Sequence, residues 1–326
     1  MLRVAFVGAL SSSFADRVRA HLTVPCDFVH ADEKNARDVL PDVDVLITLV
    51  FTSEMGAAAR RLRLIQVPGA GLDRIDRSAM PPGVSLAKVH GHETGIAEYV
   101  LGAMIALSRD FDRVHTGLRA GRWDSQWAPG VPPPPVWPEL AGRTLGILGY
   151  GGIGQAVARR ARAFEMRVCA IRRNVGQSAE DDLAFLGSLK SLPDVLRRAD
   201  YLAITLPLTP ETQGLIGPAQ FELMKPTAIL VNVARAQIVD EDALYAALAE
   251  RRIAAAALDV WYRYPSAPGP VLPARRPFHE LPNVLMSPHV SGWTDGMLEA
   301  RATLIAENIG RTARGERPEN MVPVAA

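Results

Sequence analysis

Short apolar and β-branched runs alternate with longer polar stretches through the first third of the chain, at 3–7, 27–29, 44–49, 62–67 and 84–89. Strands separated by helical stretches predict a parallel sheet with both faces covered. A long apolar stretch at 96–107, bounded by Thr94 and by Arg109 and Asp110, has the length and helix formers of a buried helix. It leads the chain out of that first sheet. Residues 121–140 read GRWDSQWAPGVPPPPVWPEL. Their prolines at 132–135 lack the N–H that a helix or a strand ladder needs, so an extended arm or surface loop is predicted. The α/β pattern restarts at Arg143, with six candidate strands at 144–148, 167–171, 201–206, 228–233, 255–260 and 284–286. Residues 295–315 then read as one amphipathic helix, with Met297, Ala300, Leu304 and Ile309 at helical spacing. This helix is expected to return over the first sheet, which makes the first domain discontinuous: 1–97 with 290–326, and 98–289 between them.

Length supports two domains, because 326 residues exceed what one core usually serves. Apolar residues make up 48% of the chain and charged ones 22%, with a formal net charge of +1, the balance of an ordinary globular protein. Such a field does not draw in nucleic acid or a membrane surface. No apolar run reaches membrane-spanning length. The opening run at 4–10 reads as a buried strand rather than a signal peptide. Cys26 and Cys169 lie in apolar runs with neither CxxC nor metal-ligand spacing, so no metal is expected and a reducing cytoplasm is the simplest home.

The first chemistry appears in TLGILGYGGIGQAVARRA, where Gly149, Gly151 and Gly154 form a GxGxxG after an apolar strand and before an Ala-rich helix. The first glycine allows the tight turn, the second lets backbone approach a pyrophosphate, and the third lets helix and strand pack closely. Gly152 and Ile153 open the helix whose N–H groups would meet the phosphates. The alternative is a strand-to-helix turn without ligand. Six strands with this turn predict a full doubly wound dinucleotide-binding sheet, a Rossmann-type domain of the α/β class. The second strand of an NAD-binding unit usually ends in a carboxylate for the ribose 2′-OH; here it ends in Arg172 and Arg173. A carboxylate repels a 2′-phosphate and guanidinium groups pair with it, so NADP(H) is favoured over NAD(H). The alternative is a pair of ordinary surface cations.

Seven spaced segments occur in a telling order: PGAGLD at 68–73, GHETGIAEYVL at 91–101, GYGGIG at 149–154, LPLTPET at 206–212, NVARAQIVDEDAL at 232–244, ALDVW at 257–261 and SPHVSGWT at 287–294. Along nearly its whole length the chain resembles the D-isomer-specific 2-hydroxyacid dehydrogenases, of the glyoxylate and hydroxypyruvate reductase kind. The resemblance implies an oxidoreductase passing hydride between a nicotinamide cofactor and a small 2-keto or 2-hydroxy acid. It also implies an α/β fold of two doubly wound parallel-sheet domains, a Rossmann-type nucleotide-binding domain and a smaller flavodoxin-like substrate domain, with an active-site cleft between them and a homodimer built around the nucleotide-binding domains.

The resemblance maps the substrate-binding arginine onto Arg235, which suits a ligand presenting a carboxylate and a polarised carbonyl. The glycine that usually follows is Ala236 here. His289 matches the acid/base histidine, whose ordinary pKa near 6.5 lets it cycle at neutral pH. The third catalytic position departs from the pattern, for counting five residues from Asp259 reaches Tyr264 instead of glutamate. A tyrosine can orient the imidazole but cannot stabilise its cation as a carboxylate does. Asp259 is expected to contact the nicotinamide carboxamide, Val233 and Ala234 to line the nicotinamide pocket, and Pro207 and Thr212 to border the cofactor. Ala70 and Gly71 would offer N–H groups to the substrate carboxylate, while Phe51 and Trp293 either shape the substrate pocket or simply pack. Two alternatives stay open at this point. One is a dehydrogenase of formate or phosphite type, which needs a weaker proton relay. The other is a nucleotide-sensing relative without turnover, against which the presence of both Arg235 and His289 argues.

Overall fold

A computed structural model describes residues 1–175 and 183–323 of the chain. The chain divides into two compact units, Met1–His92 with Trp293–Ala326, and Glu93–Gly292.

The first unit is built on five parallel strands, β1 (Leu2–Val7), β2 (Cys26–Ala31), β3 (Val45–Thr48), β4 (Leu64–Val67) and β5 (Ser85–Lys88). Their order is β2-β1-β3-β4-β5, the flavodoxin-like arrangement. Successive side chains of a strand point to opposite faces, so each strand feeds two cores. Ala5, Leu46, Ile65 and Leu86 go to one, Val4, Phe6, Val45, Ile47 and Leu64 to the other. The helix Asp295–Arg314 covers the second core with Met297, Ala302, Ile305 and Ile309. It starts where the Thr294 hydroxyl accepts the Met297 N–H at 3.2 Å and stops at Gly315, whose φ of 73° suits a residue without Cβ. One polar anchor lies under it. Asn308, fully buried, donates to Gln66 Oε1 at 2.7 Å, so two amides that would be costly alone satisfy each other.

Among the described residues the second unit shows seven parallel strands rather than six: β6 (Thr144–Leu148), β7 (Arg167–Ile171), β8 (Phe185–Gly187), β9 (Tyr201–Ile204), β10 (Ile229–Asn232), β11 (Ala255–Leu258) and β12 (Val284–Met286). The additional strand, β8, is only three residues long and pairs at the edge with β7. A strand that short has no periodic signal of its own, and its neighbour's hydrogen-bonding groups recruit it. The order β12-β11-β10-β9-β6-β7-β8 is the doubly wound arrangement extended by one strand. The order in which successive strands are added reverses between β6 and β9, and ligands of such sheets bind outside the carboxyl ends of the strands at that point. The helix Glu93–Ser108 is apolar almost all round; its Ala97, Val100, Leu101 and Met104 share a core with Ala156, Val157 and Ala161 of the helix Gly152–Ala163. Residues 122–139 form neither helix nor strand, and Trp127 and Val136 stand 80% and 98% exposed. Among the described residues no helix is long and apolar enough to cross a membrane, and none form a group suited to a metal ion.

Candidate active site

The glycine turn after β6 divides its work among three residues. Gly149 sits at φ 109°, where an added Cβ would come within 2.7 Å of the Leu206 nitrogen. The Thr205 hydroxyl secures the turn by donating to Gly149 O at 2.7 Å. At Gly154 a Cβ would lie 2.3 Å from the Gly149 carbonyl oxygen, so only glycine lets this helix seat on its strand. Gly151 is different: a Cβ there would meet nothing within 4 Å. The helix Gly152–Ala163 begins at Gly151 with no side-chain cap and no acidic residue in its first turn. Open space above a glycine, with the N–H groups of Gly152 and Ile153 at a positive helix end, suits the pyrophosphate of a dinucleotide.

Arg172 follows β7, half-buried, its Nε donating to the Asn174 carbonyl at 2.6 Å. Arg173 is exposed beside it. The Glu211 carboxyl lies below its usual pKa range, chiefly through a hydrogen bond from the Thr209 hydroxyl, with the Arg173 charge contributing. Thr212, expected to border the cofactor, turns inward. Its hydroxyl donates to Pro207 O at 2.8 Å and accepts the Thr209 N–H at 2.8 Å, a brace that leaves Pro207 as the exposed face of the loop.

At the end of β10 the chain turns around the buried side chain of Asn232. Its Oδ1 accepts the Ala234 N–H at 3.1 Å and its Nδ2 donates to the Arg235 carbonyl at 3.0 Å. The turn presents Arg235 half-buried, with Nη1 donating to Ala234 O at 2.8 Å. Val233 and Ala234 are buried with their side chains in the two cores of the sheet, so little beyond their backbone could line a pocket. Asn232 was legible only as one letter of a motif, and nothing about its spacing revealed a bracing task.

His289 follows β12 with a φ of 59°, a left-handed conformation that costs a residue with a Cβ on the order of 1 kcal/mol or more. Its Nδ1 lies 2.8 Å from the hydroxyl of Tyr264. That hydroxyl oxygen also accepts the Trp261 N–H at 3.3 Å, which ties the ring partner of His289 to the backbone after β11. Burial, the largest influence, lowers the His289 pKa from its ordinary 6.5; the Asp259 charge opposes this and the Arg235 charge reinforces it. Burial likewise raises the Tyr264 pKa above 10, so the phenol stays protonated at neutral pH. A carboxylate can only accept a hydrogen bond and so demands a protonated Nδ1. A phenol can donate to an unprotonated Nδ1 or accept from a protonated one, and it brings no negative charge to stabilise the imidazolium.

Asp259, expected at the nicotinamide carboxamide, is engaged within the protein. It is 0% exposed, and its Oδ1 accepts the Ser287 hydroxyl at 2.6 Å and the Val290 N–H at 2.9 Å, while Oδ2 accepts the Ser291 N–H at 2.9 Å. The carboxylate is directed at the loop that carries His289 instead of standing open to a carboxamide. In the other unit Phe51 is 1% exposed within the core, so of its two readings packing is the supported one. Trp293 is 49% exposed just before the helix cap at Thr294. Ala70 and Gly71 lie half-buried in the turn after β4.

Residues 101–291 match the profile of the D-isomer specific 2-hydroxyacid dehydrogenase, NAD binding domain. The chain is 36% identical over 289 residues to the glyoxylate reductase of Thermococcus kodakarensis, covering 86% of this chain and 83% of that one. It is 35% identical over 292 residues to the D-3-phosphoglycerate dehydrogenase of Methanocaldococcus jannaschii, covering 87% of this chain and 52% of the other, so it spans about half of that relative's length. Among solved structures, a D-isomer specific 2-hydroxyacid dehydrogenase family protein from Aeromonas salmonicida superposes with a TM-score of 0.83 at 25% identity, covering 100% of both chains. The NADPH-dependent glyoxylate/hydroxypyruvate reductase of Sinorhizobium meliloti, solved with NADP and malonate, gives 0.81 at 26% identity, covering 99% of this chain and 97% of that one. On the matched profile, the relatives and the shared fold, the chain belongs to the D-isomer-specific 2-hydroxyacid dehydrogenase family.

Proposed function

We propose that the protein is an NADPH-dependent reductase of small 2-keto acids, of glyoxylate or hydroxypyruvate size or somewhat bulkier. One observation carries the reading. The glycine turn after β6, Arg172 after β7, Arg235 after β10, Tyr264 after β11 and His289 after β12 all stand at the carboxyl edge of one parallel sheet. NADPH, when bound at the glycine turn, supplies the hydride. Arg235 grips the substrate carboxylate and carbonyl through paired charge-assisted hydrogen bonds. His289 delivers a proton to the oxygen as the carbon is reduced, and Tyr264 fixes the plane of the ring. The test is oxidation of NADPH and NADH against a panel of 2-keto acids, with formate and phosphite assayed in the opposite direction. Turnover confined to formate or phosphite, or none at all, overturns it.

Arg172 and Arg173 are the residues assigned to the 2′-phosphate. NADPH is expected to bind at least about tenfold more tightly than NADH, since one charge-assisted hydrogen bond is worth roughly 1.5–3 kcal/mol. Arg172→Asp should erase most of that preference, read by titrating each reduced cofactor. Equal affinities in the unmodified protein would end the assignment. Assembly as a homodimer belongs to the same proposal, because the arm at 122–139 exposes Trp127 and Val136. Sedimentation should give about twice the 35.3 kDa of one chain, and a single-chain value would count against it.

A further inference from the structure

The conformation of His289 has to be held by something, because its φ of 59° is unfavourable for any residue with a Cβ. Asp259 holds it. Val290 N–H and Ser291 N–H both end on the carboxylate of Asp259, at 2.9 Å each, and so fix the backbone just after the strained residue. Ser287, two residues before it, is tied at both of its oxygens. Its hydroxyl donates to Asp259 Oδ1 at 2.6 Å, and its carbonyl accepts the Trp261 indole N–H at 2.8 Å. The segment 287–291 is thus clamped on either side of His289.

The clamp has one more member. The hydroxyl of Tyr99, on the helix Glu93–Ser108, lies 2.6 Å from Ser287 Oγ. Ser287 has a single hydroxyl proton, and it goes to Asp259. Ser287 Oγ must therefore accept, and Tyr99 must donate. The polarity of the line is settled from Tyr99 through Ser287 to Asp259. Donation from Tyr99 draws electron density from the serine oxygen and strengthens the next bond along the line. Burial raises the Tyr99 pKa above 10, so the donor keeps its proton across the neutral range.

We propose that Tyr99 is a positioning residue: through Ser287 and Asp259 it holds the loop 287–291 in the left-handed turn that aims the His289 ring at Tyr264. Nothing in GHETGIAEYVL distinguishes Tyr99 from the apolar residues around it, because its hydroxyl acquires meaning only when β12 is laid against the helix.

The inference bears on the reaction proposed above, and its test has a readout that does not need turnover. In Tyr99→Phe the ring nitrogen signals of His289 in 1H–15N spectra should move away from those of the parent, assigned with His289→Ala. Amide exchange at Val290 and Ser291 should quicken by about tenfold, as the Asp259 bonds loosen. In assays the same variant should lower kcat by about tenfold with KM nearly unchanged. Tyr201→Phe is the control, since the Tyr201 hydroxyl is bonded at 2.8 Å to Ser108 in the same unit and not to the His289 loop. Ring signals in Tyr99→Phe that coincide with the parent's, or that shift as much in Tyr201→Phe, overturn the proposal. A chain inactive on every keto acid but showing the Tyr99-specific shift keeps the positioning and discards the proposed reaction.

Discussion

Arg235→Ala is expected to lower kcat/KM for 2-keto-acid reduction by about 10³–10⁴, roughly 4–5.5 kcal/mol of transition-state stabilisation, while NADPH affinity stays within about twofold. The magnitude follows from what the guanidinium does. Asn232 braces the backbone turn that carries Arg235 after β10, and the Ala234 carbonyl accepts from its Nη1, so the guanidinium is positioned in part before a ligand arrives. Charge-assisted bonds at a reacting carbonyl strengthen as negative charge moves onto its oxygen, and the loss therefore falls on the transition state more than on binding. Arg235→Lys should recover only part of the activity, because an ammonium cannot make the two parallel bonds. Steady-state rates with glyoxylate and hydroxypyruvate, beside cofactor titrations, decide the matter. Reduction by the alanine variant within tenfold of the parent would show that another residue grips the substrate.

The second large effect concerns pH, and the direction comes from Tyr264. Reduction requires the protonated imidazole. Burial lowers the His289 pKa below 6.5, with Arg235 acting in the same direction and Asp259 against it, and the neutral phenol at Nδ1 does nothing to restore the cation. The protonated fraction is full well below that pKa and falls about tenfold per pH unit above it, so kcat/KM should decline from a midpoint under 6.5. Tyr264→Glu places an acceptor-only anion beside the ring and should shift the limb upward by about one unit or more. Tyr264→Phe removes the hydrogen bond without adding charge and should leave the limb low. His289→Ala should cost about 10²–10⁴ and abolish the limb altogether. Profiles from about pH 5 to 9 in all four proteins provide the check. A midpoint above about 8 in the parent would mean that some other group supplies the missing negative charge.

Alternation of apolar runs with helical stretches is enough to read eleven of the twelve strands among the described residues, the long helix as 96–107 and the terminal helix, because burial on both faces of a parallel sheet writes itself as continuous apolar runs. β8 escaped, since three edge residues are ordered by pairing with β7 rather than by their own composition. The glycine turn was legible to the residue: φ at Gly149 and the 2.3 Å approach at Gly154 are demands that only glycine meets, and such demands leave a fixed spacing behind. Arg235, His289 and Tyr264 were likewise readable as ordered motifs.

What the side chains of those motifs face was decided elsewhere. Asp259, Val233, Ala234, Thr212 and Phe51 have the same letters whether they look toward a ligand or into the protein, and in each case packing or hydrogen bonding turned the side chain inward. The pairing of Tyr264 with His289 joins residues 25 positions apart, and the line from Tyr99 to Ser287 joins residues 188 apart. Sequence by itself determined the local demands of this protein: where apolar runs must be buried, where a backbone needs glycine, and which reactive groups the chain carries. Tertiary structure alone decided the direction of each carboxylate and hydroxyl, because a hydrogen bond needs its partner within about 3 Å and chain separation says nothing of that distance.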